Sequence, residues 1–360
     1  MNRKVLVTLA VLVVFLCSLQ VAFAAEPSNN HLPNIKILAT GGTIAGSGAT
    51  STTTVGYTAA VVPVDALINN VPELKKVANV SGEQIAQIAS ENMTNKVWLK
   101  LAKRINELLA SDDVDGIVVT HGTDTIEETA YFLNLVVKSE KPVVIVGAMR
   151  PPTAMSADGP MNLYNAVVIA GTKEAHNKGV LVCLNDAING AREVTKTNTS
   201  LLDTFRAPEL GYLGYMQGGK AYFYRESTRK HTTHSEFDIT GLTDLPRVDI
   251  VYGYANNSRD GLDAFVAHGA KGIVHAGVGD GSLFTEVKQG LIDARKQGVV
   301  IVRSSRVGNG ILARNGEAND DELDFVASDT LNPQKARILL MLALTKTKDT
   351  KEIQRMFWEY

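Results

Sequence analysis

Two short segments place threonine side chains directly after stretches that are typical of buried β-strands. Thr40-Gly41-Gly42-Thr43 follows the apolar run 35–39, and Thr120-His121-Gly122-Thr123-Asp124 follows the apolar run 116–119. Catalytic and ligand-binding groups favour the carboxyl ends of strands in α/β sheets. The repeated arrangement predicts one crevice, built from both loops, that is suited to hydrolytic chemistry.

Thr43 is the candidate nucleophile of the first loop. A threonine hydroxyl is weak at its free pKa, so acyl transfer needs a neighbouring base and donors for the oxyanion. Gly41 and Gly42 allow a sharp turn and can present backbone N–H groups beside Thr43. A single Gly-Gly-Thr is also explained by a tight turn with a capping threonine, but the second loop favours a catalytic site.

Asp124 and Lys196 are the candidate charged partners. Asp124 precedes a helical pattern that begins near Ile126, where a carboxylate is also favoured by the helix dipole by roughly 0.3–1 kcal/mol. Lys196, in the segment 195–198, is the best basic candidate for a site with Thr123 and Asp124. On spacing alone, however, Lys196 is typical of a solvated surface lysine.

The alternation of apolar runs and amphipathic stretches predicts an α/β fold with a mainly parallel sheet. Strands are expected at 35–39, 116–119 and 142–147, with helices at 64–67, 127–137 and 161–170. A second series has strands at 248–252, 272–276 and 299–303. It ends in two helices, the first with Asn332 as N-cap and Pro333 in its first turn.

We therefore predict two α/β domains, as expected for a chain of 360 residues with 45% hydrophobic and 21% charged residues. The larger N-terminal catalytic domain spans 32–222 and the smaller C-terminal domain 248–360. The polar segment 223–247 is expected to be a linker, with His231 and His234 exposed to solvent. Residues 47–58 are rich in Gly, Ser, Thr and Ala and are the best candidate for a mobile lid beside Thr43.

The N-terminus is typical of a secretory signal. Arg3 and Lys4 precede the apolar run 5–23, and Ala22-Phe23-Ala24 ends it, which predicts cleavage after Ala24 and a periplasmic protein. An uncleaved membrane anchor is the alternative. Cleavage leaves 34 basic and 38 acidic side chains, a mild acidity that gives no reason to expect nucleic acid or a membrane surface as partner.

One cysteine, Cys183, remains after cleavage, so no internal disulfide is available to the exported chain. It lies in the apolar run 179–184, where a buried structural thiol is expected and a nucleophile is not.

Metal and cofactor sites are not expected from the sequence. The seven histidines include no His-Glu-x-x-His pair. The segment 214–220 is similar to a phosphate-binding loop, but Ala221 stands where Ser or Thr would bind magnesium, and 212–224 is more typical of a hairpin. The glycines of 277–282 follow a strand but are weak evidence for a ligand.

Taken in order, these motifs resemble those of the bacterial type II, periplasmic L-asparaginases, and more closely the periplasmic glutaminase-asparaginases. The resemblance covers essentially the whole mature chain. The segments that carry it are 37–46, 120–125, 147–151, 156–160 and 195–198.

The resemblance implies roles for individual residues. Thr43 corresponds to the nucleophile and Tyr57, on the mobile loop, to the tyrosine that assists it. Thr123, Asp124 and Lys196 correspond to a second set on the other side of the substrate. The family assembles as a homotetramer, a dimer of intimate dimers, in which the neighbour's C-terminal domain would contribute Ser282 and Glu317.

The implied substrates are L-asparagine and L-glutamine, which are zwitterions with a side-chain amide. Their ammonium requires carboxylates and their carboxylate requires hydroxyl and N–H donors. The expected ammonium partners are Asp124, Glu91 and Glu317, the expected carboxylate partner is Ser90, and the backbone of Ala148 and Thr123 are expected near the oxyanion. Hydrolysis would proceed through an acyl-enzyme on Thr43, without a cofactor or metal.

Hydrolysis of both amides is expected from two residues. Narrower family members tend to carry glutamine and asparagine where this chain has Glu91 and Ser282. A rival function from another class is a periplasmic amino-acid-binding protein, which also has a signal peptide and two α/β lobes. Binding alone requires no nucleophile, so the paired threonine loops favour the enzyme.

Overall fold

Eight strands form the larger sheet of the computed structural model, which describes residues 32–360. The signal sequence predicted for 1–24 lies outside these described residues. Five neighbouring strands are parallel and three at one edge are antiparallel. In chain order the strands are β1 (Asn34–Gly41), β2 (Asn79–Ile88), β3 (Gly116–Thr120), β4 (Val143–Val146), β5 (Val180–Leu184), β6 (Ala187–Gly190), β9 (Gly214–Gln217) and β10 (Lys220–Phe223). A separate two-stranded pair is formed by β7 (Thr195–Lys196) and β8 (Phe205–Arg206).

Four helices accompany this sheet, because apolar residues recur at helical spacing between the strands. Thr94 caps the longest of them by accepting a hydrogen bond from the backbone N–H of Val97 at 3.3 Å. The helices are α1 (Val64–Asn69), α2 (Asn95–Leu109), α3 (Ile126–Val136) and α4 (Gly159–Ala170). The predicted N-terminal strands and helices are thus confirmed in type and place.

The strand order creates a switch point in the larger sheet. The order is β10-β9-β6-β5-β4-β3-β1-β2, so the chain leaves β1 toward β2 on one side and returns to β3 on the other. Ala39 at the end of β1 is paired with Thr120 at the end of β3. Ligands of doubly wound sheets bind at such a reversal, outside the carboxyl ends of the strands. Both threonine loops leave the sheet there.

The C-terminal part of the chain forms a smaller, wholly parallel sheet, as expected. Its strands lie in sequence order: β11 (Val248–Tyr252), β12 (Gly272–Gly277), β13 (Val300–Ser305) and β14 (Val326–Ala327). Its helices are α5 (Asp260–Ala267), α6 (Thr285–Lys296), α7 (Asp320–Leu323), α8 (Pro333–Ala343) and α9 (Thr350–Glu359). Asn332 caps α8 as predicted, accepting from the backbone N–H of Lys335 at 3.1 Å.

Contacts between α3 and α8 join the two sheets. Both helices are apolar around most of their circumference, and their side chains belong to one continuous hydrophobic cluster. Burying one leucine or isoleucine side chain contributes about 1.5–3 kcal/mol. The end of α8 at Pro333 is thereby fixed beside the N-terminal sheet.

Residues 223–247, expected to form a polar linker, include more buried side chains than their polar composition indicates. His231 is buried, at 7% exposure, so the expectation that it faces solvent is wrong, whereas His234 is exposed as predicted. The Ser235 hydroxyl donates to the carbonyl of Leu135 at 2.5 Å, and Phe237 packs in the shared cluster. The hydroxyl of Thr232 lies 3.0 Å from Nδ1 of His231, so the buried polar side chains of this segment have hydrogen-bond partners.

Two smaller predictions are confirmed. Strands β9 and β10 form the predicted hairpin, with Gly218 (φ 58°) and Gly219 (φ 74°) at its turn. Cys183 is fully buried in β5, and burial raises the pKa of its thiol. No helix within residues 32–360 is both long enough and apolar enough to span a bilayer.

Candidate active site

Two glycines bring the threonine loops into contact. Gly42 has φ 81°, a left-handed conformation that glycine adopts without strain, and a Cβ built on it would lie 2.2 Å from Cα of Gly122. A Cβ on Gly122 would in turn lie 2.6 Å from Oγ of Ser90. No side chain fits at either position, so the backbones after β1, β2 and β3 converge at one point.

Thr43 follows Gly42 in a short 3-10 turn and is buried, at 6% exposure. Its Oγ1 lies 2.7 Å from the hydroxyl of Tyr57, and either oxygen can be the donor. Tyr57 belongs to the loop 47–58, whose two ends are joined by backbone hydrogen bonds between Ser47 and Thr58 at 2.8 and 3.0 Å. The structure therefore brings together the hydroxyls that the sequence analysis assigned to nucleophile and assistant.

Thr123, Asp124 and Lys196 form a second polar group. The ammonium of Lys196 donates to Oγ1 of Thr123 at 3.0 Å and to Oδ1 of Asp124 at 2.6 Å. The Lys196 side chain is 18% exposed and that of Asp124 is 60% exposed. Lys196 is thus directed into the site and is not the solvated surface lysine that its spacing alone indicates.

Ser90 and Glu91 lie in a 3-10 turn directly after β2. The Ser90 hydroxyl accepts from the backbone N–H of Asp124 at 3.2 Å, and the Thr125 hydroxyl donates to the Ser90 carbonyl at 2.8 Å. These bonds tie the turn to the second threonine loop. Ser90 is buried and Glu91 is exposed at the rim.

All of these side chains line one cavity of about 530 Å³, a size typical of small-molecule sites. Its wall also contains residues that the sequence analysis did not select: Met149, Arg150, Thr199, Ser200 and Leu201. The first two follow β4, where the carboxylate of Asp158 accepts from both backbone N–H groups at 2.9 Å. Met149 and Arg150 could have been identified from the sequence, because they follow a strand of the switch region.

Three other expected site residues do not line this cavity. Ala148 is fully buried beneath it. Ser282 lies in the C-terminal domain, where its N–H donates to the carbonyl of Val278 at 2.8 Å. Glu317 is exposed in the same domain and lines a separate surface depression. The single chain therefore brings together seven of the ten expected residues: Thr43, Tyr57, Ser90, Glu91, Thr123, Asp124 and Lys196.

A buried histidine supports the second threonine loop. Nδ1 of His121 lies 2.7 Å from the carbonyl oxygen of Gly122, which only accepts, so Nδ1 carries the proton. Nε2 then accepts from the Thr129 hydroxyl at 2.8 Å, and the indole N–H of Trp98 donates to the same hydroxyl at 2.7 Å. Burial lowers the pKa of His121 to about 4, so the ring is neutral at physiological pH.

Comparison with known proteins places the chain in a known family. The family model described as asparaginase, N-terminal, matches residues 34–229, and the glutaminase/asparaginase C-terminal domain matches residues 247–357. L-asparaginase 2 of Bacillus subtilis (strain 168) is 59% identical over 95% of this chain and 90% of its own. The glutaminase-asparaginase of Pseudomonas fluorescens biotype A is 54% identical over 92% of both chains.

Two further comparisons extend the match. A protein of Haemophilus influenzae (strain ATCC 51907 / DSM 11121 / KW20 / Rd) named probable L-asparaginase periplasmic is 51% identical over 99% of both chains. The crystal structure of the probable cytoplasmic L-asparaginase from Campylobacter jejuni matches with a TM-score of 0.89 and 51% identity, covering 91% of this chain and all of that one. Because the two family models match residues 34–229 and 247–357 in order, and relatives at 51–59% identity span most of its length, the chain belongs to the asparaginase family.

Proposed function

We propose that this protein is an amidohydrolase that converts L-asparagine to L-aspartate and ammonia, and L-glutamine to L-glutamate and ammonia. The observation that carries the proposal is the meeting of two polar groups in one cavity: Thr43 with Tyr57, and Thr123 with Lys196 and Asp124. A binding protein needs neither a buried hydroxyl paired with a phenol nor a lysine directed at a second threonine. Family membership supports the same reaction class.

In the proposed reaction, Oγ1 of Thr43 attacks the carboxamide carbon of the substrate. The Tyr57 hydroxyl relays the proton of Thr43 to the amide nitrogen, and the carbon–nitrogen bond breaks to release ammonia. Water then attacks the ester while the neutral form of Lys196 takes its proton through Thr123. The bond between the acyl carbon and Oγ1 of Thr43 breaks, Oγ1 is reprotonated, and the acid product is released. The backbone of Ala148 and the hydroxyl of Thr123 stabilise the negative oxygen of each tetrahedral intermediate.

The charges around the cavity suit a zwitterionic substrate. Asp124 and Glu91 are exposed to the cavity and would pair with the ammonium, while the hydroxyl of Ser90 would donate to the carboxylate. Opposite charges on the protein and the substrate fix the amino acid in one direction. That direction places its side-chain amide against Thr43.

Glutamine is included because a pocket separates substrates that differ by one methylene by only roughly 1–3 kcal/mol. Glu91 and Ser282 replace the glutamine and asparagine that are typical of narrower relatives. The name of the Pseudomonas fluorescens relative, glutaminase-asparaginase, describes a protein with both activities and supports the same assignment here.

We also propose that the protein functions as an oligomer. Ser282 and Glu317 do not line the cavity of their own chain, so their proposed role requires a neighbouring subunit that supplies them. We propose that this neighbour belongs to a homotetramer, a dimer of intimate dimers. We further propose export to the periplasm with cleavage after Ala24, and two domains at 32–222 and 248–360 joined by 223–247. The periplasmic name of the Haemophilus influenzae relative supports the location.

Replacement of Thr43 by alanine tests the function directly. We expect ammonia release from asparagine and from glutamine to fall by at least about 10³-fold, since the nucleophile is lost. Thr172→Ala is the matched control, because Thr172 lies at the end of α4 and its hydroxyl donates to the carbonyl of Val168. A folded Thr43→Ala protein with parental turnover would refute the proposal, and asparagine binding without ammonia release by the parent would favour the binding protein.

A further inference from the structure

A buried lysine of the C-terminal domain holds the segment that carries Lys196. Lys335 is the third residue of α8 and is 2% exposed. Its ammonium donates to the carbonyl oxygen of Arg192 at 2.7 Å and also to that of Val194. These carbonyls lie four and two residues before Lys196, at the entrance to β7. One side chain thereby fixes the backbone through which Lys196 reaches the cavity.

The neighbour of Lys335 reaches the same segment by a second route. Nε2 of Gln334 donates to Oε1 of Glu127 at 2.5 Å, and Oε2 of Glu127 accepts from the backbone N–H of Lys196 at 3.2 Å. Glu127 lies on α3 and is buried, at 6% exposure. Lys335 therefore holds the segment 192–196 directly, and its neighbour Gln334 holds it through the carboxylate of Glu127.

The place of Lys335 is unfavourable for a cation in two ways. It stands in the first turn of a helix, where the helix dipole is positive, and it is removed from water. Burial lowers the pKa of its ammonium to about 8, although the charges of Glu127 and Glu193 act to raise it. The two carbonyl contacts and the nearby carboxylates compensate the charge. An apolar residue would avoid the cost of burial but would leave both carbonyls without a donor.

We propose that Lys335, assisted by Gln334 and Glu127, is a positioning residue for Lys196. It fixes the segment 192–196 so that the ammonium of Lys196 lies within hydrogen-bonding distance of Thr123 and Asp124. The inference rests on the proposed function of Lys196 as base. It gives the C-terminal domain of each chain a part in the chemistry of its own active site, in addition to any contribution from a neighbouring subunit.

Substitution of Lys335 by methionine, with a control in the same helix, separates positioning from general stability. Arg337→Met is the control, because Nε of Arg337 donates to the carbonyl of Val248 at 2.8 Å, in the strand β11 and away from the catalytic segment. Both variants should have a lower Tm in the assembled enzyme. Only Lys335→Met should lower kcat for asparagine, by at least about tenfold, with KM within about threefold of the parent.

A double-mutant cycle with Lys196→Met identifies the route of the effect. If Lys335 acts through Lys196, then Lys335→Met lowers kcat in the parent but leaves the residual kcat of Lys196→Met unchanged. Equal kcat values for the parent and Lys335→Met would overturn the inference, and so would equal losses for Lys335→Met and Arg337→Met. Parental turnover in Lys196→Met would instead overturn the proposed base, which keeps the two failures distinct.

A milder variant covers the case in which Lys335→Met does not fold. Gln334→Leu removes the donor to Glu127 but leaves both carbonyl contacts of Lys335 in place. We expect kcat to fall by about two- to fivefold with KM unchanged, an effect that also disappears in the Lys196→Met background. A parental kcat in Gln334→Leu together with an unfolded Lys335→Met would assign the cluster to stability alone and contradict the inference.

Discussion

Gly42 and Gly122 lie in backbone contact, since a Cβ on Gly42 would be 2.2 Å from Cα of Gly122. The two catalytic loops are therefore adjacent with no side chain between them. This contact sets the separation of the Thr43 and Thr123 hydroxyls, because each threonine follows its glycine directly. The geometry of the cavity thus depends on glycine at position 42, because a Cβ there would have no space.

Gly42→Ala should separate the loops and lower kcat by at least about 10²-fold. Gly269→Ala is the control, because Gly269 has a similar φ of 87° but has no atom within 4 Å of an added Cβ. It should lose about 1–2 kcal/mol from backbone strain and keep its turnover. Steady-state kinetics and thermal unfolding of both variants measure the difference. Parental kcat in Gly42→Ala would show that the contact is not needed.

Tyr57→Phe removes the hydroxyl that lies 2.7 Å from Oγ1 of Thr43 and leaves the ring. We expect kcat to fall by roughly 10²-fold, because proton transfer from Thr43 loses its partner, with a small change in KM. Tyr222→Phe, on the exposed hairpin, provides the same chemical change away from the site. Equal turnover in the two variants would exclude the phenol from the chemistry.

Glu91→Gln should narrow the substrate range toward asparagine. Glutamine places its ammonium one methylene farther from the reacting carbon, and Glu91 offers its charge at the exposed rim of the cavity. We expect the ratio of kcat/KM for glutamine to that for asparagine to fall by about tenfold. Competition between the two amides, followed by quantifying both acidic products, measures this ratio. An unchanged ratio would assign the selectivity to other residues.

His121 should make the protein less stable in mild acid. Its pKa is about 4 in the folded state and ordinarily 6.5, so the unfolded chain takes up the proton first as the pH falls. Stability is then lost progressively between pH 6.5 and 4. From pH 7 to pH 5, this difference in the pKa of His121 lowers the free energy of unfolding by about 2 kcal/mol.

Urea unfolding of the parent and of His121→Gln at both pH values tests this expectation. The variant should start from a lower stability at pH 7, because its bonds to Gly122 and Thr129 are altered, and should lose less on acidification. His275, whose pKa is also lowered to about 4 by burial and by Arg303, remains in both proteins and contributes equally. Identical pH dependence in the two proteins would contradict the assignment to His121.

The strands and the threonine loops could be predicted from the sequence because their signals are local. Apolar runs such as 35–39 and 116–119 are followed within three residues by a glycine, and a parallel sheet brings the ends of its strands to one edge. Lys196 was ambiguous for a physical reason. Its spacing resembles that of an exposed lysine, and only the pairing of β7 with β8 and the contacts at 192 and 194 turn it toward Thr123.

Features that depend on tertiary contacts could not be read from one sequence. His121 is neutral because it is buried, and its Nε2 accepts from Thr129, whose hydroxyl in turn accepts from Trp98 on a different helix. Burial of His231 follows from the docking of a polar segment in which Thr232 bonds to the histidine ring and Ser235 bonds to the carbonyl of Leu135. The sequence around Lys335 gives no indication that its ammonium donates to the carbonyls of Arg192 and Val194.

Cys183, the single thiol within residues 32–360, lies at the centre of the larger sheet with no exposure. In the mature enzyme proposed above, which is cleaved after Ala24, an aqueous aromatic disulfide would therefore find no exposed thiol until the strands around β5 separate. The rate of labelling then reports the frequency of that opening without any engineered probe. The enzyme carries an intrinsic sensor of its own unfolding, which can rank variants by their kinetic lifetime.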